Sequence, residues 1–298
     1  MNFLLMTVLV AFRVLGRNRM RSILTMLGII IGVGAVIAMV SIGEGAKAAV
    51  QAQIASFGTN VITILPWATT TSGVRSGHGG AVTLTIADME ELRNIPGVTD
   101  VGWARRDAMQ IVHENKNWFT TVNGVTPGYL VIRGWSPVSG DFFTQADNDT
   151  AAKVVLIGNT VAENLFGPGE DPVGATIRLK NIPFKVVGKL IAKGYDTRGS
   201  DQDDVVFIPF STAERKVMGT KFLGSIGAGF LSAETPEQMA QIVDEVKRVL
   251  RQRHKLRPNQ DDDFTVRNQL DTAKIQEGTS ESMKLLLLAV ASISLLVG

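Results

Sequence analysis

The chain of 298 residues contains no cysteine, so no disulfide framework is available to it and cysteine usage does not fix its redox compartment. Histidine is scarce. His78, His113 and His254 show neither His-x3-His nor Glu-x-x-His spacing, so a zinc site is not expected. A Gly-x-Ser-x-Gly nucleophile turn is also missing, and the glycines between Trp67 and Gly80 do not fit Gly-x4-Gly-Lys-Ser/Thr, which excludes a phosphate-binding loop. The acidic runs Asp201–Asp204 and Asp261–Asp263 lack the glycine and distal glutamate of a calcium loop and read as solvated turns. No catalytic, cofactor or metal residues are predicted, and the chain is expected not to be an enzyme.

Charge of either sign is nearly balanced, 30 basic against 28 acidic side chains, and nucleic acid is not an expected partner. The basic tract Arg251–Arg257 follows a predicted helix, where cations complement the C-terminal dipole. Locally, one absence is informative: Ser22 to Ile42 carries no charge at all. About 21 residues at 1.5 Å each match the roughly 30 Å hydrocarbon layer of a bilayer. Leu, Ile and Val dominate this stretch and favour its insertion by a few kcal/mol, so residues 22–42 are predicted to be a transmembrane helix.

Arg13, Arg17, Arg19 and Arg21 precede this run with no acidic residue among them, which predicts a cytoplasmic N-terminus and contact with lipid headgroups. A cleaved signal peptide fits poorly. Its apolar region would be shorter, and its charges would come first rather than after the uncharged Met1–Phe12. Residues 1–21 read instead as an interfacial helix on the cytoplasmic leaflet. Gly28 and Gly32, four apart, with Ala35 on the same face, form a stripe of small residues of the kind that lets membrane helices pack closely.

Beyond the membrane, residues 43–57 continue the helical pattern through Val50, Ile54 and Phe57 as a stalk. One helix from Ser22 to Phe57 would be roughly 54 Å long. Val61–Leu65 reads as a strand, and Trp67–Gly80 as a mobile loop. Thr85 followed by Asp88 signals a capped short helix before a strand at Val98–Ala104. The same order recurs far downstream, with a strand at Gly224–Ala233, a helix at Pro236–Arg253 and a strand at Phe264–Val266. Two βαβ units, residues 58–106 and 221–270, would pair into one α+β sandwich of ferredoxin-like type. Between them, 107–220 reads as an inserted β-rich module. Its predicted strands are Met109–His113, Trp118–Val125, Val154–Ile157, Thr176–Leu179, Phe184–Leu190 and Val205–Ile208, with a helix at Thr160–Phe166. Residues 271–284 resume a helical pattern as a second stalk. Residues 285–298 are apolar throughout but too short to cross, as in a truncated second transmembrane helix. The fold class is thus a membrane-anchored α+β protein.

The run Arg17-Asn18-Arg19-Met20-Arg21-Ser22-Ile23-Leu24-Thr25-Met26-Leu27-Gly28, followed by Gly58-Thr59-Asn60-Val61-Ile62, resembles the start of MacB-type permeases of ATP-binding-cassette exporters. Gly140-Asp141-Phe142-Phe143, Leu165-Phe166-Gly167, Asp171-Pro172-Val173-Gly174 and Asp204-Val205-Val206-Phe207-Ile208-Pro209 extend the resemblance over most of the chain. It implies an inner-membrane permease subunit with four membrane helices, working as a dimer, whose periplasmic part (residues 43–284 here) joins a split porter subdomain to an inserted, Sabre-like one. It also implies mechanotransmission, the passing of ATPase closure to periplasmic movement, with ATP and Mg held by a separate ATPase subunit. A periplasmic membrane-fusion adaptor and an outer-membrane channel are further partners that such a system allows, though no residue specifies them. The competing readings are a membrane-anchored extracytoplasmic sensor and a membrane-anchored enzyme.

Overall fold

An uninterrupted apolar run without proline builds the longest element of the computed structural model, α1 (Arg19–Phe57, 39 residues). The structure describes residues 6–7, 19–57, 60–67, 70–71, 74–75, 83–196, 199–219, 222–268, 285–286 and 289; the side chains of 21, 25, 35–36 and 46–57 are not described. Most of the predicted interfacial helix, the second stalk and the second transmembrane segment therefore lie outside the described residues. The chain divides into two units, Met1–Gln51 with Thr272–Gly298, and Ala52–Asp271.

In α1, Ser22–Gly45 is a 24-residue stretch long and apolar enough to cross a membrane. Ile23, Ile30 and Ile37 are each more than half exposed along it, a surface that water penalises and lipid does not.

Within the second unit the described elements are β1 (Val61–Pro66), the two-residue strands β2 (Thr70–Thr71) and β3 (Val74–Arg75), α2 (Ile86–Leu92), β4 (Val98–His113), β5 (Lys116–Val125), α3 (Pro127–Ile132), β6 (Pro137–Gly140), α4 (Gln145–Asp149), β7 (Val154–Ile157), α5 (Asn159–Leu165), β8 (Thr176–Leu179), β9 (Ile182–Leu190), β10 (Val205–Pro209), α6 (Phe210–Thr212, followed by a π turn at Ala213–Val217), β11 (Ala228–Ala233), α7 (Met239–Arg253) and β12 (Phe264–Asn268). Where the sequence reads as a mobile loop, β2 and β3 pair as a short ladder.

One end of the main sheet runs β12-β1-β11-β4, with each neighbouring pair antiparallel. The segments β1-α2-β4 and β11-α7-β12 interleave in it, so that each contributes alternate strands. Their helices cover one face. On α7, Met239, Ile242, Val246 and Leu250 fall at helical spacing and are buried with Met89 and Leu92 of α2 against Ile62, Ile64 and Leu231.

β4 then runs on for 16 residues, joining the separately predicted strands Val98–Ala104 and Met109–His113. Its second half pairs with β5, and the pairing continues through β10, β7, β9 and β8 back to β4 at Ile111 and Val112. The ring is closed. Its interior holds Met109, Ile111, Val122, Phe184, Val186 and Val206, and Val161 and Leu165 of α5 pack into the same cluster. Closure pairs strand edges that an open sheet would leave available to other chains. On the outside, Leu130, Trp135 and Phe143 pack over Val125, Leu156 and Phe207 as a third cluster that also takes in Val61, Ala104 and Phe230.

Candidate functional site

The residues predicted for helix packing lie in α1. Gly32 and Met39 are buried and Gly28 and Gly43 half-buried, on one face of the helix; the Ala35 side chain is not described. Gly34, on another face, has open space where a Cβ would stand. Arg19 and Arg21 lie in the first turn of α1, and Arg13 and Arg17 fall outside the described residues.

The most connected group of charges joins the two interleaved β-α-β segments. Thr85 caps α2, and its backbone N–H and hydroxyl both donate to Asp88 Oδ2, at 2.9 and 2.7 Å. Asp88 is almost fully buried. Its other oxygen accepts from Arg253 Nε at 2.7 Å, and His254 Nε2 stands 3.4 Å from Oδ2. The other nitrogen of the same ring, Nδ1, is 2.7 Å from Asp263 Oδ1. Burial opposes ionisation of Asp88, but the hydrogen bonds from His254, Arg253 and Thr85 outweigh it and hold the carboxyl well below the usual carboxylate range. Asp263 first, and then Asp88, push the His254 pKa up to about 9, so the ring is cationic at neutral pH.

The same loop is pinned from both sides. Arg251 pairs with Asp262 and donates to the Arg257 carbonyl at 2.7 Å, while the Asp263 carbonyl accepts from Trp67 N at 2.9 Å and Thr83 Oγ1 at 2.8 Å. His254, isolated in the sequence, is therefore the bridge between two aspartates. Of the residues read as a solvated turn, Asp262 and Asp263 are structural partners of the helix end. Asp88 and Arg253 are 165 residues apart, and no local spacing signals such a contact.

The second acidic run departs from its sequence reading as well. Asp203 is buried and accepts from the backbone N–H groups of Lys193 and Gly194, both at 2.8 Å. Asp201 accepts from Thr160 and Asp204 from Trp118, at 2.7 and 2.8 Å. Nearby, Lys193 Nζ donates to the Arg133 carbonyl at 2.6 Å and stands 4.4 Å above the Trp135 ring. Burial, with Arg133 alongside, draws the Lys193 pKa down to about 8 against the opposing pull of Asp203. These groups brace loops. Among the described residues, no three His, Cys, Asp or Glu side chains converge as a metal site would require.

One helix long and apolar enough to cross a membrane and a β-rich unit braced by internal ion pairs fit a membrane-anchored domain. Residues 22–249 match the model of the MacB-like periplasmic core domain, and the chain belongs to that family. Curated relatives include the macrolide export ATP-binding/permease proteins MacB of Rhodospirillum rubrum, 40% identical over 97% of this chain and 43% of its own length, and of Syntrophobacter fumaroxidans, 35% identical over 95% and 47%. The chain thus spans less than half the length of these relatives. Among solved structures, the periplasmic region of MacB from Actinobacillus actinomycetemcomitans superposes with a TM-score of 0.59 at 24% identity, covering 74% of this chain and 94% of that one. The extracellular domain of the noncanonic ABC-type transporter YknZ from Gram-positive bacteria gives 0.56 at 20%, covering 70% and 100%. At these identities the two structures establish the fold.

Proposed function

We propose that this chain is part of the permease subunit of an ABC-type exporter, held in the inner membrane by α1 with its N-terminus cytoplasmic, and that it transmits the conformational change of a separate ATPase to a periplasmic domain. Family membership carries the reading. The strand order supports it, because β1 and β12 lie side by side as first and last strands of the unit. In this account the interleaved β-α-β segments form a ferredoxin-like porter subdomain, and the closed ring between them is the Sabre-like insert. The subunit works as a dimer, and residues 43–284 face the periplasm. The relatives are named for macrolide export, which puts macrolides first among cargoes to assay.

The test is co-purification from native membranes. Tagged chain is expected to bring an ATPase subunit with it, and MgATP hydrolysis should follow that subunit through fractionation. Hydrolysis by the chain purified to homogeneity would overturn the assignment.

A further inference from the structure

The closed ring has two kinds of outer surface. Over β10 and β7, Leu130, Trp135 and Phe143 pack on Phe207 and Leu156. Over β5, β4 and β8 the outward side chains stay exposed. Strand side chains alternate between the two faces, and Met109, Ile111, Val122 and Ile177 fill the interior, so Arg106, Gln110, Phe119 and Arg178 point outward. Gln110 stands directly across from Phe119, which is 67% exposed, and Arg178 stands across from Val112.

Charge on this face has one sign. From Arg106 onward the outward positions of β4, and those of β5, β8 and β9, hold no Asp or Glu, whereas Arg106, Arg178 and Lys185 are exposed on them. None of these three forms an ion pair among the described residues. Asp107 is opposite the interior Val122, so it alternates to the other face, and it lies 4.0 Å from Lys180. Arg178 is level with Val112, six residues along β4 from Arg106, which separates the two guanidinium-bearing positions by about 20 Å. Gln110 and Phe119 lie between them.

We propose that the outer face of β5, β4 and β8 docks an acidic surface of another protein, with Phe119 as the apolar anchor and Arg106, Arg178 and Lys185 as a cationic rim. An exposed aromatic ring amid uncharged side chains, with arginine around it, has the composition of a protein interface. Charge decides the partner. A second copy of this chain, related by a two-fold axis, would set cations against cations, which disfavours self-association through this face. A linear polyanion calls for a close row of cations, and here they stand apart at the two ends. Three strands about 4.8 Å apart and about 20 Å of their length give a patch of roughly 300 Å², less than the ~800 Å² per partner of a standard interface, so the contact is transient and salt-sensitive. This inference does not rest on the exporter reading, since it concerns only the folded unit.

Photo-crosslinking of the full chain in its native membranes, with p-benzoylphenylalanine in place of Phe119, tests it. The expected product is an adduct with a different protein whose crosslinked peptide is rich in Asp and Glu. Its yield should fall steeply when salt is raised to about 0.5 M. Arg106→Glu combined with Arg178→Glu should cut the yield about ten-fold, while the same two positions as lysine should retain most of it. The salt dependence uses the unsubstituted arginines and carries the test should the reversed variant melt early. An adduct only with a second copy, with lipid or with glycan, a yield indifferent to salt and charge reversal, or no adduct at all overturns the proposal.

Discussion

Ile62 lies directly across from Asn268 in the antiparallel pair of β1 and β12. The first strand of the folded unit is thus closed by the last, and everything between them is one long excursion. The pair sits at the sheet's edge, and α2 and α7 meet over the same face. A unit closed in this way gains most from contacts that join its early and late segments, and the Asp88–Arg253–His254–Asp263 group is such a contact.

Stability should therefore depend on His254 ionisation. Asp263 on the loop before β12, and Asp88 and Thr85 at the start of α2, face the ring, with Arg253 beside it on its own helix. Its folded pKa, about 9, is above the ordinary 6.5, so the stabilisation is complete below 6.5 and is lost as pH rises through 9. The unfolding free energy from denaturant titrations should fall over that interval by on the order of 2 kcal/mol, and His254→Gln should flatten the slope. Asp88, held low, acts in the opposite sense: its contribution is present above the ordinary 3.8 and disappears at lower pH. Asp88→Ala should cost more than Thr85→Ala, roughly 2–4 against about 1 kcal/mol, because it removes the buried carboxylate that Arg253 and His254 share as well as the reciprocal half of the Thr85 cap. Equal losses would show that the cap alone matters.

A second expected outcome concerns the ring of strands. A Cβ on Gly124 would sit 2.1 Å from the Ala213 Cβ, so β5 and the π turn approach closely only through this glycine. Gly124→Ala should destabilise by about 1–3 kcal/mol through overpacking and lower Tm by several degrees. An unchanged melting curve would mean that the turn moves away freely.

In α1, Gly32 is buried whereas Gly34 meets open space. If the Gly28–Gly32–Ala35 face packs helix on helix, Gly32→Leu should weaken dimerisation in detergent and Gly34→Leu should leave it intact. Sedimentation of the two variants distinguishes them, and equal behaviour would leave both as ordinary membrane glycines.

Much of the fold was legible where chemistry is local. The Thr85–Asp88 cap, the α7 periodicity and the strands Val154–Ile157 and Thr176–Leu179 appear where the pattern puts them. What failed to show was non-local or disguised. Arg105, Arg106 and Asp107 look like a break between strands, yet β4 passes straight through them. Arg106 and Asp107 are exposed, and Arg105 reaches Ser225 at 2.8 Å. Closure of the ring depends on only two register pairs between β4 and β8, which no window of sequence contains. For α4, the signal existed in Thr144 and Asp147, a capping box like that of α2, but five residues without an apolar stripe do not announce a helix. The His254 cluster shows the limit most clearly: its partners are distant in sequence, so each looked like an ordinary surface charge.

Absence of cysteine makes the central claim directly measurable. Single replacements Asn18→Cys, before α1, and Lys116→Cys, exposed at the start of β5, place one thiol on each side of the proposed membrane helix. Treated in intact spheroplasts with a membrane-impermeant maleimide, Lys116→Cys should label fully and Asn18→Cys only after the membrane is permeabilised. Labelling of Asn18→Cys with protection of Lys116→Cys, or equal labelling of both, would contradict a permease anchored by α1 with its folded unit outside.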